Sequence, residues 1–365
     1  MPLPHPAPAR PGASARLHSS PPAAALRSAA AVLLLAPAAH AQTGTALLTS
    51  YWEPGQQLAV RGDSTFVPTE TGAPGDARDV DIWASRTRLR ARVGSDGSPG
   101  EGAAGGMLFG HEYTHVDFSG DGVNVPERLV RQEMDVGFTL SPFTVGGDGF
   151  FSGDWTPAFE VGFGHASTNP YGDDRGWYGL ASVQAERVSA TGTRLLLGLT
   201  YDGNRSTLPD LPLPLVLLRK PLFIDPDTGR PSTAEIGLTL GYPETRLIYK
   251  PDERWTFSAG FSQIDAFTAV ASYKVSEQLT LLGGYGGFYD QFHDADTKER
   301  RRIFIVGQRL ELGATVTPVE KLSFTLTGGW GFGQELRRGY DLRSTEQVQE
   351  FDDAAFVRLA ARFAF

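Results

Sequence analysis

The feature that most restricts how this chain can fold is a two-residue alternation held over ten residues and more, clearest at the C-terminus. On a strand, successive side chains point to opposite faces. From Phe356 to Phe365, one face carries Val357, Leu359, Ala361, Phe363 and Phe365, and the other Phe356, Arg358, Ala360, Arg362 and Ala364. Apolar groups on one side and arginines on the other suit a wall between lipid and a wet lumen. The pattern recurs. Trp83, Thr87, Leu89, Ala91 and Val93 oppose Arg86, Arg88, Arg90 and Arg92; Val130, Met134, Val136 and Phe138 oppose Arg131, Glu133, Asp135 and Gly137. Phe304, Val306, Leu310 and Leu312 oppose Arg309 and Glu311.

A soluble sandwich alternates too, but three features favour a closed barrel. The periodic segments are longer than ordinary strands and match a tilted membrane span. Tyr249, Trp255, Tyr273, Tyr285, Tyr289 and Trp330 gather near segment ends, as in an interfacial girdle. Short turns near Ser189, Pro251, Ser276 and Thr317 alternate with long polar loops, including Ser119–Pro126, Ala166–Arg175, Gly203–Tyr242, Gln291–Arg300 and Gln334–Asp353. A sheet in lipid must close, since an unpaired edge is not tolerated there. The fold expected is all-β: a transmembrane antiparallel up-and-down β-barrel of about 14 strands, or 12 if two weak segments drop out. Its first strand is placed at Thr45–Trp52.

The N-terminus supplies a destination. Arg10, Arg16 and Arg27 precede a short apolar run from Ala29 to Ala36, Pro37 breaks it, and Ala39-His40-Ala41 has the small-x-small form of a secretory cleavage site. Residues 1–41 thus read as a signal peptide cleaved near Ala41, and 42–365 as the barrel, placed in a bacterial outer membrane. Glycine, at 43 residues, favours turns and close-packed strands over helices. A net charge of −9 argues against nucleic acid, and the absence of cysteine excludes disulfides and thiolate metal sites. The partners expected are outer-membrane lipid and the barrel-assembly machinery, which would read the final strand through Phe363 and Phe365. No phosphate-binding loop or nucleotide fingerprint occurs, and no cofactor is implied.

Pro243 to Trp255 follows a long loop and leads into an amphipathic strand pair; the Gly-Trp-Gly-Phe-Gly segment at Gly329–Gly333 precedes a charged loop and the terminal strand. Over residues 128–365 this arrangement resembles a family of uncharacterised bacterial outer-membrane β-barrels (a domain of unknown function). The resemblance implies fold and location and supplies no substrate or catalytic residue.

Two strings invite a chemical reading. His111-Glu112-Tyr113-Thr114-His115 matches H-E-x-x-H, which binds zinc only when both histidines share a helix face. Here the surroundings are those of a strand, where residues four apart lie roughly 13 Å from each other, so polar strand residues are the better reading. His165, Ser167 and Asn169 are similar to the His-x-Ser pair, with Asn beside it, of outer-membrane phospholipases and lipid A deacylases. An imidazole on the same strand face could activate the hydroxyl, making a lipid hydrolase the alternative function. In those enzymes Asn follows Ser directly, whereas Thr168 intervenes here and Pro170 follows.

The arginine row carries the stronger hint. A charge facing lipid at mid-bilayer costs roughly 2–4 kcal/mol, so Arg86, Arg88, Arg90 and Arg92 must face inward. Arg131, Glu133, Asp135, Glu160, Arg194, Arg309, Glu311, Arg358 and Arg362 fall on inward phases as well. Either these charges neutralise one another and brace the barrel, or they form a polarised pore attracting small polar or anionic solutes. The expected protein is not an enzyme. A third possibility is a structural or surface-interaction barrel with an occluded lumen; the apolar run Leu211–Leu218 within the long loop could enter the lumen as a plug, pack on the barrel rim or form a partner surface.

Overall fold

The computed structural model describes residues 57–71, 78–93, 106–120, 126–189, 193–221, 236–242, 244–262, 266–296 and 300–365. The expected signal peptide and the expected first strand, Thr45–Trp52, lie outside the described residues. The chain runs through β1 (Leu58–Thr71), β2 (Arg78–Val93), β3 (Gly106–Ser119), β4 (Arg128–Thr139), β5 (Phe143–Val145) and β6 (Gly153–Ser167). After a single 3-10 turn at Asp174–Gly176 come β7 (Trp177–Val188), β8 (Arg194–Asp202), β9 (Leu213–Pro221), β10 (Ile236–Tyr242), β11 (Glu244–Tyr249) and β12 (Trp255–Ser262). The last are β13 (Ala266–Lys274), β14 (Leu279–His293), β15 (Arg302–Val319), β16 (Leu322–Gly339), β17 (Thr345–Phe351) and β18 (Ala354–Ala364).

All wall pairings are antiparallel between sequence neighbours, and the circuit closes. β1 zips to β2 from Leu58↔Ala91 to Thr71↔Arg78, and on its other side to β18 from Ala59↔Ala364 to Phe66↔Val357. The amides of Gln57 and Leu58 both donate to the carbonyl of Phe365, at 2.7 and 2.8 Å, so both ends of the barrel chain meet at what is here termed the lower rim. β5 pairs only with β6, while β17 continues β18 across Asp352–Asp353, with β16 pairing to β18 below and β17 above. Among the described residues the eighteen segments therefore make sixteen wall positions.

The sixteen wall positions exceed the sequence expectation of about 14, which places its first strand upstream of β1 and leaves out β9 and β10, both inside the stretch Gly203–Tyr242 that reads as one loop. β9 escapes detection because it does not alternate: Leu215 and Leu217 point inward, where they pack with Leu196, while Pro214 and Val216 lie on the outer face. A strand apolar on both faces carries no period-two signal. The expected loop Gln334–Asp353 is mostly strand as well, since β16 and β17 prolong their hairpin to Gly339 and Thr345, and β14 runs three residues into the expected loop Gln291–Arg300.

The outer surface is apolar along the expected phases. Trp83, Met134, Val161, Phe163, Leu312, Leu326 and Leu359 are all exposed, Leu312 at 69%. Near the lower rim Trp255 stacks on Phe257 at 5.4 Å and meets Tyr273 at 4.7 Å; further up, Phe267, Tyr285 and Phe332 form a chain of rings about the wall. Phe363 and Phe365 face outward, with the Lys321 ammonium 4.1 Å over the Phe365 ring.

The lumen is not empty. β14 is paired with β13 only up to Gly286, while the upper half of β15 stays paired with β14 and with β16 up to Arg302. Phe292, Ile303 and Phe304 are essentially fully buried, which a strand with one face on lipid cannot achieve. Gly286, Gly287 and Gly307 sit at the bend. A Cβ on Gly307 would lie 2.8 Å from the Phe288 ring, and the β15–β16 register slips between Val306 and Gln308. The hairpin tip reaches β6, eight positions round the wall, where His293 bridges Ser167. There Phe292 and Ile303 enter an apolar cluster with Val67, Ile82, Val116, Leu129, Leu336 and Phe356, all buried on inward faces. An inward hairpin, rather than the Leu211–Leu218 run, thus fills the upper lumen.

Candidate functional site: the charged lumen

Beneath the apolar cluster the inward side chains become ionic. Arg86, Arg88, Arg90 and Arg92 extend inward from β2, alternating with Trp83, Leu89 and Val93 outside. Arg131 and Glu133 of β4, Glu160 of β6 and Glu311 of β15 are buried on the same inner surface, with Arg358 and Arg362 on β18. Asp135 nests against two glycines: a Cβ on Gly110 would lie 2.0 Å from its Oδ1, and one on Gly162 2.9 Å from its Cβ. Arg194 stands apart from this group, 3.6 Å from Glu186.

The structure adds residues that the sequence reading missed. Glu112, inside the H-E-x-x-H string, points inward and holds Arg88 (Nε to Oε2 at 2.6 Å) and Arg131 (3.1 Å). His111 and His115 point outward, so the three groups of that string cannot converge on one ion. Asp290, on the inward hairpin, receives Arg86 at 2.7 Å and Arg131 at 3.0 Å. Arg131 also lies 3.6 Å from Glu133, whose carboxylate accepts the Tyr178 hydroxyl at 2.6 Å. One ionic lattice therefore runs from β2, β3 and β4 onto the hairpin. A second joins Arg358 to Glu311 at 2.8 Å, with Arg309 at 3.9 Å. Arg61 and Asp63 of β1 lie downstream of the first strand expected at Thr45–Trp52, on a segment whose alternation puts Arg61, Asp63, Thr65 and Val67 on one face.

Arg61 occupies a notable register. It lies directly opposite Arg362 on β18 and Arg88 on β2, so three arginines stand side by side on adjacent strands. Like charges directly opposed across a ladder are destabilising. Arg90 and Arg92 continue the arginine row toward the lower rim, with the Asp135 carboxylate seated over Gly110, the β3 register partner of Arg90.

His165, Ser167 and Asn169 sit at the upper end of β6. His165 and Ser167 are buried, at 1% and 0% exposure, under the turn that follows them. The His165 ring packs 5.2 Å from Tyr171 and 4.9 Å from Trp177, with its Nε2 3.2 Å from the carbonyl of Asp173. Ser167 Oγ accepts the amide of Asn169 at 3.1 Å. These contacts engage the serine oxygen and one imidazole nitrogen in closing the turn.

That turn also latches the hairpin. Thr168 N donates to the His293 carbonyl at 3.0 Å, Ala295 N to Thr168 Oγ1 at 3.1 Å, and Arg175 to the Ala295 carbonyl at 2.9 Å. Asp173 sits between them, 2.7 Å from His293 Nδ1 and 3.0 Å from Arg175 Nε. Burial alone would raise its carboxyl, but hydrogen bonds from the Arg175 amide and guanidinium and from His293 outweigh this and hold it below the usual range. A depressed folded value stabilises the latch fully above the unfolded value of about 3.9 and loses it as pH falls through the folded one. Amide exchange at Thr168 and Ala295 should therefore accelerate, after correction for intrinsic rates, only below about pH 4. In Asp173→Asn the corrected rate should be raised and level across that range; retention of the wild-type step would place the switch elsewhere.

No protein-family model matches the chain, and no curated protein matches it. The resemblance drawn over residues 128–365 therefore rests on the arrangement of segments alone. Among solved structures, the chain is similar to an outer membrane channel from Pseudomonas putida F1, at 11% identity over 89% of this chain and 99% of that one, with a TM-score of 0.36. It is also similar to the translocator domain of the autotransporter NalP from Neisseria meningitidis (10%, 87% and 91%, 0.29) and to a mutant Rh. blastica porin (11%, 84% and 100%, 0.27).

Proposed function

We propose that this protein is an outer-membrane channel of low capacity that admits small anionic solutes. In this reading the lower rim, where Gln57 meets Phe365, is periplasmic, and the upper end, with its longer hairpins, faces outside. The apolar outer face meets lipid. Phe363 and Phe365 would be read by the barrel-assembly machinery, and residues 1–41 would be removed on export. The observation that carries the proposal is the in-register row Arg362, Arg61 and Arg88. Three cations held abreast cost stability, and a ring-like array of one sign is how a pore selects the opposite sign. Glu112 holds Arg88 at one end of the row and Asp135 lies over the register partner of Arg90, while arginines continue through Arg90 and Arg92 toward the lower mouth.

The test is the reversal potential of the purified full-length protein in a planar bilayer under a potassium chloride gradient. Chloride preference is expected, reduced or inverted in Arg61→Glu. A barrel that stays sealed at every voltage, or one whose selectivity ignores Arg61→Glu, would overturn the proposal.

A further inference from the structure

Between the hairpin and the wall strands β1, β2, β3, β16 and β18 lies a cavity of about 130 Å³. Its lining changes from apolar to charged along β1, β2, β15 and β18, while Asp290 of β14 borders it at the level of Ile305 with its carboxylate held by Arg86 and Arg131. On β1 the inward series runs downward from Val67 through Thr65 and Asp63 to Arg61; on β2 it passes from Ile82 through Ala84 to Arg86. On β18 Phe356 lies above Arg358, and on β15 Ile305 lies above Arg309. The roof thus belongs to the apolar cluster, while the floor carries Arg61, Arg309 and Arg358 against Asp63, with Glu311 3.9 Å from Arg309.

A free inorganic anion would gain from the floor and leave the roof unused. An uncharged hydrocarbon would fill the roof and gain nothing from the arginines. The two halves together suit one class of molecule. The structure assigns this cavity as a binding site for a monocarboxylate with a short apolar body, its carboxylate toward Arg309 and Arg61 and its body against Val67, Ile82 and Phe356. Size limits that body: a cavity of about 150 Å³ holds one benzene molecule, so a chain of about six carbons is the upper range. Arg309 is the group best placed to meet the carboxylate. It lines the cavity, and its guanidinium lies 5.7 Å from the centre of the Phe288 ring at the cavity edge. The assignment rests on the anion-admitting lumen proposed above and names the class of anion that pauses there.

Binding is measured by calorimetric titration of the detergent-solubilised full-length barrel with hexanoate, 1-hexanol and acetate. Hexanoate should bind saturably with unit stoichiometry, at least tenfold tighter than either of the others, since only it engages both halves. Arg309→Gln should weaken hexanoate about tenfold and bring it level with 1-hexanol. Ala84→Leu fills the roof without altering charge, and should abolish hexanoate binding; it supplies the test if Arg309→Gln fails to fold. Heat-modifiable migration on a gel verifies that each variant is a barrel. Hexanoate binding no tighter than acetate, or unchanged in Ala84→Leu, would overturn the assignment. The channel reading is judged separately: chloride selectivity without hexanoate binding removes only this site, whereas saturable hexanoate binding in a barrel that never conducts removes the channel.

Discussion

Excising the inward half of the β14–β15 hairpin is expected to raise single-channel conductance about tenfold, the order of change from a side-chain-filled lumen to an aqueous one. The design follows from the register. Gly287 and Gln308 are cross-strand partners, so residues 288–307 can be replaced by an Asn-Gly turn that keeps both lower strands paired. What remains is a sixteen-position wall, and barrels of that size leave an aqueous channel when nothing fills them. The excised segment includes Phe292, Ile303 and Phe304, which hold the apolar plug, and Asp290, which ties it to Arg86 and Arg131. A conductance equal to that of the intact protein would show that the constriction lies elsewhere, with the inward leucines Leu196, Leu215 and Leu217 next to be tested.

The sequence displayed the wall wherever lipid lay on one side and charge on the other, because only that contrast produces alternation. The arginines of β2 and the final strand could be assigned to a face without a structure. Legibility failed where the contrast vanished. β9 has leucines inside and Pro214 and Val216 outside, so it read as an apolar loop. The upper halves of β14 and β15 are buried on both faces, and their inward course depends on contacts with strands far away in sequence. Val67 and Phe356 do show an inward phase, but nothing local reveals that they roof the same cavity. Glu112 is masked differently: it sits within the H-E-x-x-H string of His111 and His115, whose phase is outward while its own is inward. The Arg61 row required the pairing of first strand with last, a relation that exists only once the barrel closes.

Arg131→Ala should be the most damaging single substitution in the lumen, lowering unfolding free energy by about 3–5 kcal/mol. The side chain is 2% exposed and its guanidinium reaches Glu112, Asp290 and Glu133 at 3.1, 3.0 and 3.6 Å. Desolvating an arginine is costly, and a well-packed apolar replacement of a whole ionic group is often harmless. Removing one member is different, since it leaves the opposite charges buried together. Here three carboxylates would lose a shared cation, and only Arg86 and Arg88 would remain near two of them. Arg131→Lys keeps the charge but cannot serve several carboxylates with one planar fork, so its loss should fall between wild type and alanine. The exposed pair Arg128–Asp117, at 3.2 Å, provides the scale. Arg128→Ala should cost no more than about 1 kcal/mol. Denaturant unfolding of the barrel in lipid vesicles, followed by tryptophan emission, measures all three. If Arg131→Ala proved no worse than Arg128→Ala, the lattice could not be what fastens the hairpin to the wall. If it proved much worse, the same variant should also conduct more than wild type, because Asp290 would have lost one of the two arginines that hold the hairpin across the lumen.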